Sequence, residues 1–364
     1  MNTILGKTIL GIETSCDECS AAVIRAEGGT PRVLSVATFS QIEIHRPYGG
    51  VVPEIASRNH LESVNPMIDQ ALRDAGISPA DARDQIDGIA VTNRPGLVGA
   101  LLVGVSAAKS LAYAWKKPLA AVHHLEGHAA SVFLDRDANE ELPLPMLLAI
   151  VSGGHTNLYV MRSHPSDWPT DFLASSLVGR SRDDAAGEAF DKTAKVLGFP
   201  YPGGVWIDKI GKNGKRDAFD FPRALPQKAT FDFSFSGLKT AVAVQAEKLR
   251  KAGTLEQSLP DLCASLQEAI VDALLTKIFL AARENRCKSL AIVGGVAANS
   301  RLRGRLDEEW KKNGFAVPPL FPKMSYCTDN AAMIAAAGYY RLKQGRALNA
   351  HEALMLNAVA NPLS

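Results

Sequence analysis

The amino-acid sequence predicts an α/β protein built from two similar lobes. Residues 8–25 and 145–162 each contain an apolar strand, a turn of small and hydroxyl residues, and a second strand, which is the pattern of a β-hairpin. A spacing of about 140 residues between the copies indicates duplicated domains, because the repeats of a solenoid recur every 20–50 residues or so. The 364-residue chain is also longer than one hydrophobic core usually supports.

Strands alternate with helices through the rest of the chain, as expected for an α/β fold. The predicted elements are a strand over 85–92, a helix over 97–115, a strand over 118–122, a helix carrying HHLEGHAASVF, a helix over 259–285, a strand over 289–293, a helix over 300–313 and a helix over 328–344. Prolines in segment 140–145 favour a linker there, because proline ends a preceding helix. We therefore expect a first domain over 1–142 and a second over 143–364, with the alternative that the last helix packs back on the first lobe.

Composition and charge indicate an ordinary globular protein of the cytoplasm. Apolar residues make up 46% and charged residues 21% of the chain, and the net charge of +2 neither indicates nor excludes a local nucleic-acid-binding patch. The N-terminus lacks a secretory pattern, and five cysteines, an odd number, argue against a disulfide framework. The apolar helix 97–115 contains Lys109 and many small residues, so we interpret it as a buried helix and expect no membrane association.

A pair of histidines forms the clearest candidate for a metal site. His124 and His128 lie four positions apart, so on a helix both imidazoles share one face and can bind one zinc or iron ion. A hydrogen-bonded pair at a helix end is the alternative. Glu126 lies one position later than the base of the His-Glu-x-x-His protease motif, which argues against a protease. Asp329 opens the predicted last helix and either caps it or completes a His-His-Asp site.

Three turns that contain glycine follow apolar strands, at 11–18, 152–156 and 294–299. Backbone N–H groups in such turns can converge on a phosphate, and glycine allows a close approach. A single turn of this kind is more often a plain tight turn, but three in a duplicated fold indicate a nucleotide site. The basic stretch 209–228 contains phenylalanines and suits either RNA binding or a solvated surface.

Taken together, these segments resemble the TsaD family of tRNA adenosine threonylcarbamoyltransferases, relatives of the actin, sugar kinase and heat-shock ATPase (ASKHA) fold. The motifs occur in family order from residue 10 to about residue 338: GIETSCDE, YGGVVPEIASRNH, PGLVGALLVG, HHLEGH, VSGGHT, DDAAGEAFDK, YPGG, FSFSGLKT, GGVAANSRLR and CTDNAAMIA. Asn93 and Arg94 depart from the family, which usually has glycine before this proline. The resemblance implies two duplicated ASKHA lobes that face an interdomain cleft.

The resemblance also implies roles for individual residues. His124, His128 and Asp329 are expected to bind one divalent metal ion per subunit, and iron is favoured over zinc. Glu13 and Asp17 are hypotheses for the catalytic group that accepts a proton. The residues expected to contact the substrate are Ile150, Val151, Ser152, Gly153, Gly154, Asp191, Gly204, Asp208 and Asn299.

The implied reaction transfers a threonylcarbamoyl group from threonylcarbamoyl-adenylate to the exocyclic amine of the tRNA adenosine next to the anticodon, and AMP is released. Bacterial members of the family act with a small paralogous protein and an ATPase, so we expect these partners besides tRNA. A metalloprotease, a phosphotransferase of the sugar-kinase type and a nucleotide-gated scaffold are the alternatives. Fold analogy alone does not separate them, but the series of motifs favours acyl transfer.

Overall fold

The computed structural model describes residues 6–137, 140, 142–225 and 230–360. Glu141 of the predicted linker and residues 226–228 of the basic stretch lie outside the described residues. The strands are β1 (Lys7–Glu13), β2 (Glu18–Glu27), β3 (Thr30–Ser40), β4 (Gly88–Arg94), β5 (Leu119–His123), β6 (Met146–Val151), β7 (Thr156–Met161), β8 (Leu177–Arg180) and β9 (Ser289–Val293). The helices are α1 (Ile42–His45), α2 (Pro53–Asp74), α3 (Ala82–Gln85), α4 (Val98–Trp115), α5 (His124–Ala130), α6 (Phe172–Ser176), α7 (Ala186–Leu197), α8 (Gly203–Gly211), α9 (Ser236–Lys251), α10 (Leu255–Glu284), α11 (Ser300–Glu309) and α12 (Ala331–Lys343).

The first sheet has the order β3-β2-β1-β4-β5 and is covered on both faces. Successive side chains of a strand point to opposite faces. Leu10 and Ile12 therefore enter a core shared with α2 and α4, whereas Gly11 faces α12. A side chain at Gly11 would begin 2.3 Å from the carbonyl oxygen of Ala331, so the close approach of α12 requires glycine here.

The second sheet has the order β8-β7-β6-β9 and repeats the pairing of the first. In the first sheet β1 pairs antiparallel with β2 and parallel with β4, and in the second β6 pairs antiparallel with β7 and parallel with β9. Both predicted hairpins are thus confirmed, as is the duplicated α/β architecture. The core of this unit is formed by one face of the sheet together with α7, α9, α10 and α11.

The chain folds into two compact units. The first comprises residues 1–141, 163–170 and 329–364, and the second comprises 142–162 and 171–328. A linear division after residue 142 assigns α12 to the second lobe, but this helix packs on β1, β2 and β4 of the first unit. The C-terminal segment therefore crosses back to complete the first unit.

Several helices differ from the prediction at their ends. The helix that carries the histidine pair is short, because α5 ends at Ala130 and a 3-10 turn follows. Asn330, and not Asp329, caps α12, since its side chain accepts a hydrogen bond from the amide of Met333. Among the described residues, only α4 is long and apolar enough to span a membrane. One side of it packs against α2 and β4, but Val98, Leu102 and Tyr113 are about half exposed, so the expectation of a buried helix holds for one side only.

Candidate metal centre and substrate site

The two histidines are positioned by the junction between β5 and α5 in the first unit. His123 ends β5, and its Nδ1 accepts a hydrogen bond from the amide of Leu125, so the side chain caps the next helix. His124 and His128 follow on one face of α5, with ring centroids 4.7 Å apart in an edge-to-face arrangement. All seven residues of α5 are buried, which holds both rings in place.

Asp329 joins these histidines from the start of the C-terminal helix. Its Oδ1 lies 3.5 Å from Nε2 of His124 and 3.2 Å from Nε2 of His128. Ligand atoms that bind one tetrahedral zinc ion at about 2.1 Å are themselves about 3.4 Å apart. The three residues named together in the sequence thus have ligand atoms within 4.8 Å of one another, and Asp329 lies from each histidine at the spacing of ligands around a single ion.

Glu13 at the end of β1 supports the ring of His124 from behind. Its Oε2 lies 3.1 Å from Nδ1 of His124 and accepts a hydrogen bond of 2.6 Å from Thr92, and its Oε1 accepts one of 2.5 Å from the amide of Ser15. A carboxylate beside Nδ1 favours a proton there, so Nε2, which faces Asp329, is the nitrogen available to a metal. Glu13 is fully buried and both of its oxygens are engaged.

Several carboxylates lie close together around this cluster, and their negative charges shift the pKa values of neighbouring side chains. Burial disfavours a charge on His124, but Asp329 and Glu13 outweigh it and raise the pKa of this histidine to about 9. Burial, together with the nearby carboxylates of Asp17 and Asp329, raises the pKa of Glu18 to about 9. Carboxylates crowded in this way bind a proton more readily, and a bound cation would relieve the same repulsion.

The residues present fit a divalent transition metal. Both ring nitrogens of His128 are buried, and Nε2 lies 3.2 Å from Oδ1 of Asp329. Burial lowers the pKa of His128 and so favours the neutral ring, which is the form that can bind a metal through a ring nitrogen. Two imidazoles and one carboxylate are the donor set of non-haem iron(II) sites and of catalytic zinc sites that keep a position open.

Glu126 takes no part in this cluster. Its Oε2 accepts hydrogen bonds of 2.9 and 2.6 Å from Nε and Nη2 of Arg341 on α12. An acid held in this ion pair is directed away from the two histidines, in agreement with its i+2 position in the sequence. The arrangement offers no general base of the metalloprotease type at this residue.

The glycine turn after β6 belongs to the second unit and is shaped by two close approaches. A side chain at Gly187 would begin 2.6 Å from the carbonyl oxygen of Ser152, and one at Gly294 would begin 2.5 Å from that of Val151. Gly153 and Gly154 are exposed, with open space where side chains would stand. The turn therefore offers bare backbone, whereas the side chains of Ile150 and Val151 are buried in the sheet.

Asp191 and Gly204 lie together where α7 packs on α8. Oδ1 of Asp191 accepts a hydrogen bond of 2.7 Å from the amide of Gly203 at the first turn of α8. A side chain at Gly203 would begin 2.3 Å from Cβ of Ala194, so the two helices pack at glycine distance. A side chain at the next residue, Gly204, would begin 3.6 Å from its nearest neighbour, Cβ of Phe190, so this glycine lines the more open side of the junction.

Hydrogen bonds from Gln267 link Asp208 and Asn299, and the sequence patterns did not predict a role for this glutamine. Nε2 of Gln267 lies 2.6 Å from Oδ1 of Asp208 and 3.1 Å from Oδ1 of Asn299. Ser300 donates a further hydrogen bond of 2.6 Å to Asp208, while Asn299 caps α11. Gln267 lies on α10, far away in sequence, and nothing in its local pattern signals this role.

The comparisons with known proteins agree on one family. Residues 32–336 match the family model described as TsaD, tRNA N6-adenosine threonylcarbamoyltransferase. A protein of that name from Anaeromyxobacter sp. is 52% identical over 339 residues, which cover 93% of this chain and 95% of the relative. The protein of the same name from Bacillus cereus is 47% identical over 356 residues, 96% of this chain and 97% of the relative.

Solved structures with low sequence identity share the fold alone. Component A of (R)-2-hydroxyglutaryl-CoA dehydratase from Acidaminococcus fermentans superposes with a TM-score of 0.51 at 13% identity, over 93% of this chain and 99% of that one. The activator of 2-hydroxyisocaproyl-CoA dehydratase from Clostridium difficile, with bound ADPNP, gives a TM-score of 0.50 at 13% identity, over 95% and 99% of the two chains. These likenesses confirm the ASKHA-type architecture.

Proposed function

This chain belongs to the TsaD family of tRNA N6-adenosine threonylcarbamoyltransferases, and from that membership and the site geometry we propose its reaction in detail. The protein transfers the threonylcarbamoyl group of threonylcarbamoyl-adenylate to the exocyclic amine of the tRNA adenosine next to the anticodon. The C–O bond to the phosphate breaks, a C–N bond forms, and AMP leaves. The single observation that carries the metal-dependent part of the proposal is the convergence of His124, His128 and Asp329.

We propose that these three residues hold one divalent ion, and we favour iron over zinc. When bound, the ion supplies Lewis acidity and a template for an oxygen of the substrate. His124 and His128 bind through Nε2, and Glu13 keeps the first of these rings in the required tautomer. The third ligand, Asp329, supplies a negative charge that lowers the net charge of the site.

Positioning must supply much of the rate, because the amine of adenine is a weak nucleophile. Holding the activated acyl donor and the amine in line converts a bimolecular step into an effectively unimolecular one. We infer that the backbone of Ser152, Gly153 and Gly154 binds the phosphate of the adenylate, which suits the open glycines of this turn. The group formed by Asp208, Gln267 and Asn299 and the α7–α8 junction at Asp191 and Gly204 are proposed to hold the adenosine.

The proton released by the amine needs an acceptor, and Glu13 and Asp17 are the two proposed residues. Both oxygens of Glu13 are engaged by Ser15, Thr92 and His124. We therefore favour Asp17 as the acceptor and assign Glu13 to the positioning of His124. Asp17 lies in the turn between β1 and β2, near enough to Asp329 for their charges to affect the same neighbour, Glu18.

We also propose that the protein acts in the cytoplasm together with tRNA, a small paralogous protein and an ATPase, without a membrane. Exposed apolar residues on α4 support a protein partner, since Val98, Leu102 and Tyr113 lie along one side of this helix and are about half exposed.

The reaction is tested by mixing the purified protein with its partner proteins, labelled threonylcarbamoyl-adenylate and unmodified tRNA, and by counting label in the tRNA. We expect transfer by the wild type and by His164→Ala, a control at a histidine outside the cluster, and no transfer by His124→Ala. Asp17→Asn is expected to lose transfer while still binding metal. Absence of transfer by the wild type with competent partners would refute the proposed reaction.

A further inference from the structure

An ion pair inside the first unit ties the helix of the two histidines to the helix that follows Asp329. Glu126 lies on α5 between His124 and His128, and Arg341 lies in the last turn of α12. The side chains are 10% and 19% exposed, and the carboxylate oxygen Oε2 accepts from both Nε and Nη2 of the guanidinium. A short, nearly buried contact of this kind fixes direction as well as distance, because the guanidinium is planar.

Close packing makes this contact sensitive to the register of the two helices. A side chain at Gly127 would begin 2.6 Å from Cδ1 of Ile334, so the backbone of α5 lies close against the side chains of α12 at this residue. Glu126 and Gly127 are consecutive residues. The ion pair and the glycine contact therefore fix α5 on α12 at neighbouring points.

The beginning of α12 is held separately, at the end where Asp329 stands. Asn330 caps the helix through the amide of Met333, and the amide of Ala331 donates a hydrogen bond of 3.0 Å to Oγ of Ser20 on β2. Asp329 is thus fixed by the start of α12, whereas the histidines are fixed by α5. The distances from Asp329 to the two histidines depend on how these helices are docked.

We propose that Glu126 and Arg341 are positioning residues of the metal centre, which set the docking of α5 on α12 and thereby the spacing of His124, His128 and Asp329. This inference rests on the proposed metal site. Neither residue touches the metal. Both act through the helix that carries the histidines, and loss of the pair loosens the geometry of the ligands before it unfolds the protein.

An ion pair of similar burial in the second unit separates this role from general stability. Arg301 and Glu268 are 17% and 13% exposed, and Arg301 donates to the two carboxylate oxygens at 2.6 and 2.9 Å, although Glu268 also pairs with Arg305. None of the three proposed metal ligands lies in that unit. Breaking either pair should lower stability, but only the pair between Glu126 and Arg341 should affect metal binding.

The test is a titration of the metal-free full-length protein with Co²⁺, followed by the visible d–d absorption bands, alongside urea unfolding of each metal-free variant. Arg341→Met is expected to weaken Co²⁺ binding by about 10–100-fold, the usual effect of removing outer-shell support, and to change the band pattern. Arg341→Lys keeps the positive charge but loses the planar guanidinium, so its Co²⁺ affinity should lie between those of the wild type and Arg341→Met. Arg301→Met should leave the Co²⁺ affinity within about twofold of that of the wild type and the absorption bands unchanged, because outer-shell effects are local.

The double variant Glu126→Gln with Arg341→Met removes both charges, so neither remains buried alone and the protein stays folded. Its Co²⁺ affinity should be no weaker than that of Arg341→Met, because both substitutions break one interaction. Unchanged affinity and bands in Arg341→Met and in the double variant would overturn the inference. A wild type that binds no Co²⁺ would overturn the proposed metal site and this inference with it, so the two failures are distinguished.

Discussion

Replacing Glu13 by glutamine tests whether this residue orients His124 or accepts a proton in the reaction. The substitution keeps the shape of the side chain but turns one acceptor oxygen into an NH₂ group. In the wild type, Oε1 accepts from the amide of Ser15, and Oε2 faces the hydroxyl of Thr92 and Nδ1 of His124. The side-chain amide of the glutamine can adopt two orientations. One leaves a buried donor without an acceptor, and the other changes the tautomer of His124.

If the NH₂ group replaces Oε1, it faces the N–H of Ser15, and two donors meet in a fully buried site. An unsatisfied buried donor costs about 1–3 kcal/mol. If the NH₂ group replaces Oε2, it donates to Nδ1 of His124, and the ring must place its proton on Nε2. That nitrogen faces Asp329, and once protonated it has no lone pair with which it would bind a metal.

Both orientations weaken metal binding, by about 10–100-fold if Glu13 acts as outer-shell support. Titration of the metal-free protein with Co²⁺ measures this, and threonylcarbamoyl transfer at saturating metal measures the chemical step. Thr92→Val is the matched control, because it removes one partner of Glu13 without touching His124, and its affinity should stay within about threefold. Unchanged Co²⁺ affinity in Glu13→Gln, with transfer abolished at saturating metal, would refute the positioning role and restore Glu13 as the proton acceptor.

Two further predictions concern stability, measured by urea unfolding of the metal-free protein. Gly338→Ala should destabilise the protein by about 1–3 kcal/mol, because the new Cβ would lie 2.2 Å from Cβ of Ala90. The control is Gly304→Ala on α11, whose Cβ would meet open space and which should be neutral or stabilising. Equal effects of the two substitutions on the free energy of unfolding would contradict the packing of α12. Asp183→Ala should cost about 1 kcal/mol at neutral pH, because this carboxylate accepts the amides of Phe235 and Ser236 at the start of α9. Burial slightly favours the neutral acid, but these bonds and those from two serine hydroxyls outweigh it and lower the pKa of Asp183 from 3.8. Its contribution is therefore present above the unfolded pKa and is lost as the pH falls through the folded pKa, so a gap between wild type and variant that persists in strong acid would contradict this account.

Local patterns in the sequence predicted most of the architecture. The alternation of apolar residues around small turns predicted both hairpins, and the pairing of β1 with β2 and of β6 with β7 confirms them. The spacing of His124 and His128 predicted that both rings share one helix face. These features depend on residues within a few positions of each other, and such information is present in the chain before it folds.

Contacts between distant segments were not available from spacing alone. The sequence allowed Asp329 to be either a helix cap or a ligand, and the structure gives the cap to Asn330 and places Asp329 beside the histidines. The contacts of Glu13 with Thr92 and of Gln267 with Asp208 and Asn299 join residues whose own surroundings carry no signal of a site.

The sequence by itself determined the class of fold, the family and the two histidines of the candidate metal centre. The family resemblance also named Asp329 as the third ligand, whereas tertiary structure alone decided which acid supports His124 and how Arg341 holds Glu126. The physical reason is that secondary structure follows from short-range periodicity, whereas the site depends on the docking of α12 against β1 and α5. That docking depends on close contacts at Gly11 and Gly338, where an added side chain would meet the backbone of α12 or Cβ of Ala90, and such contacts leave no trace in the periodicity of the sequence.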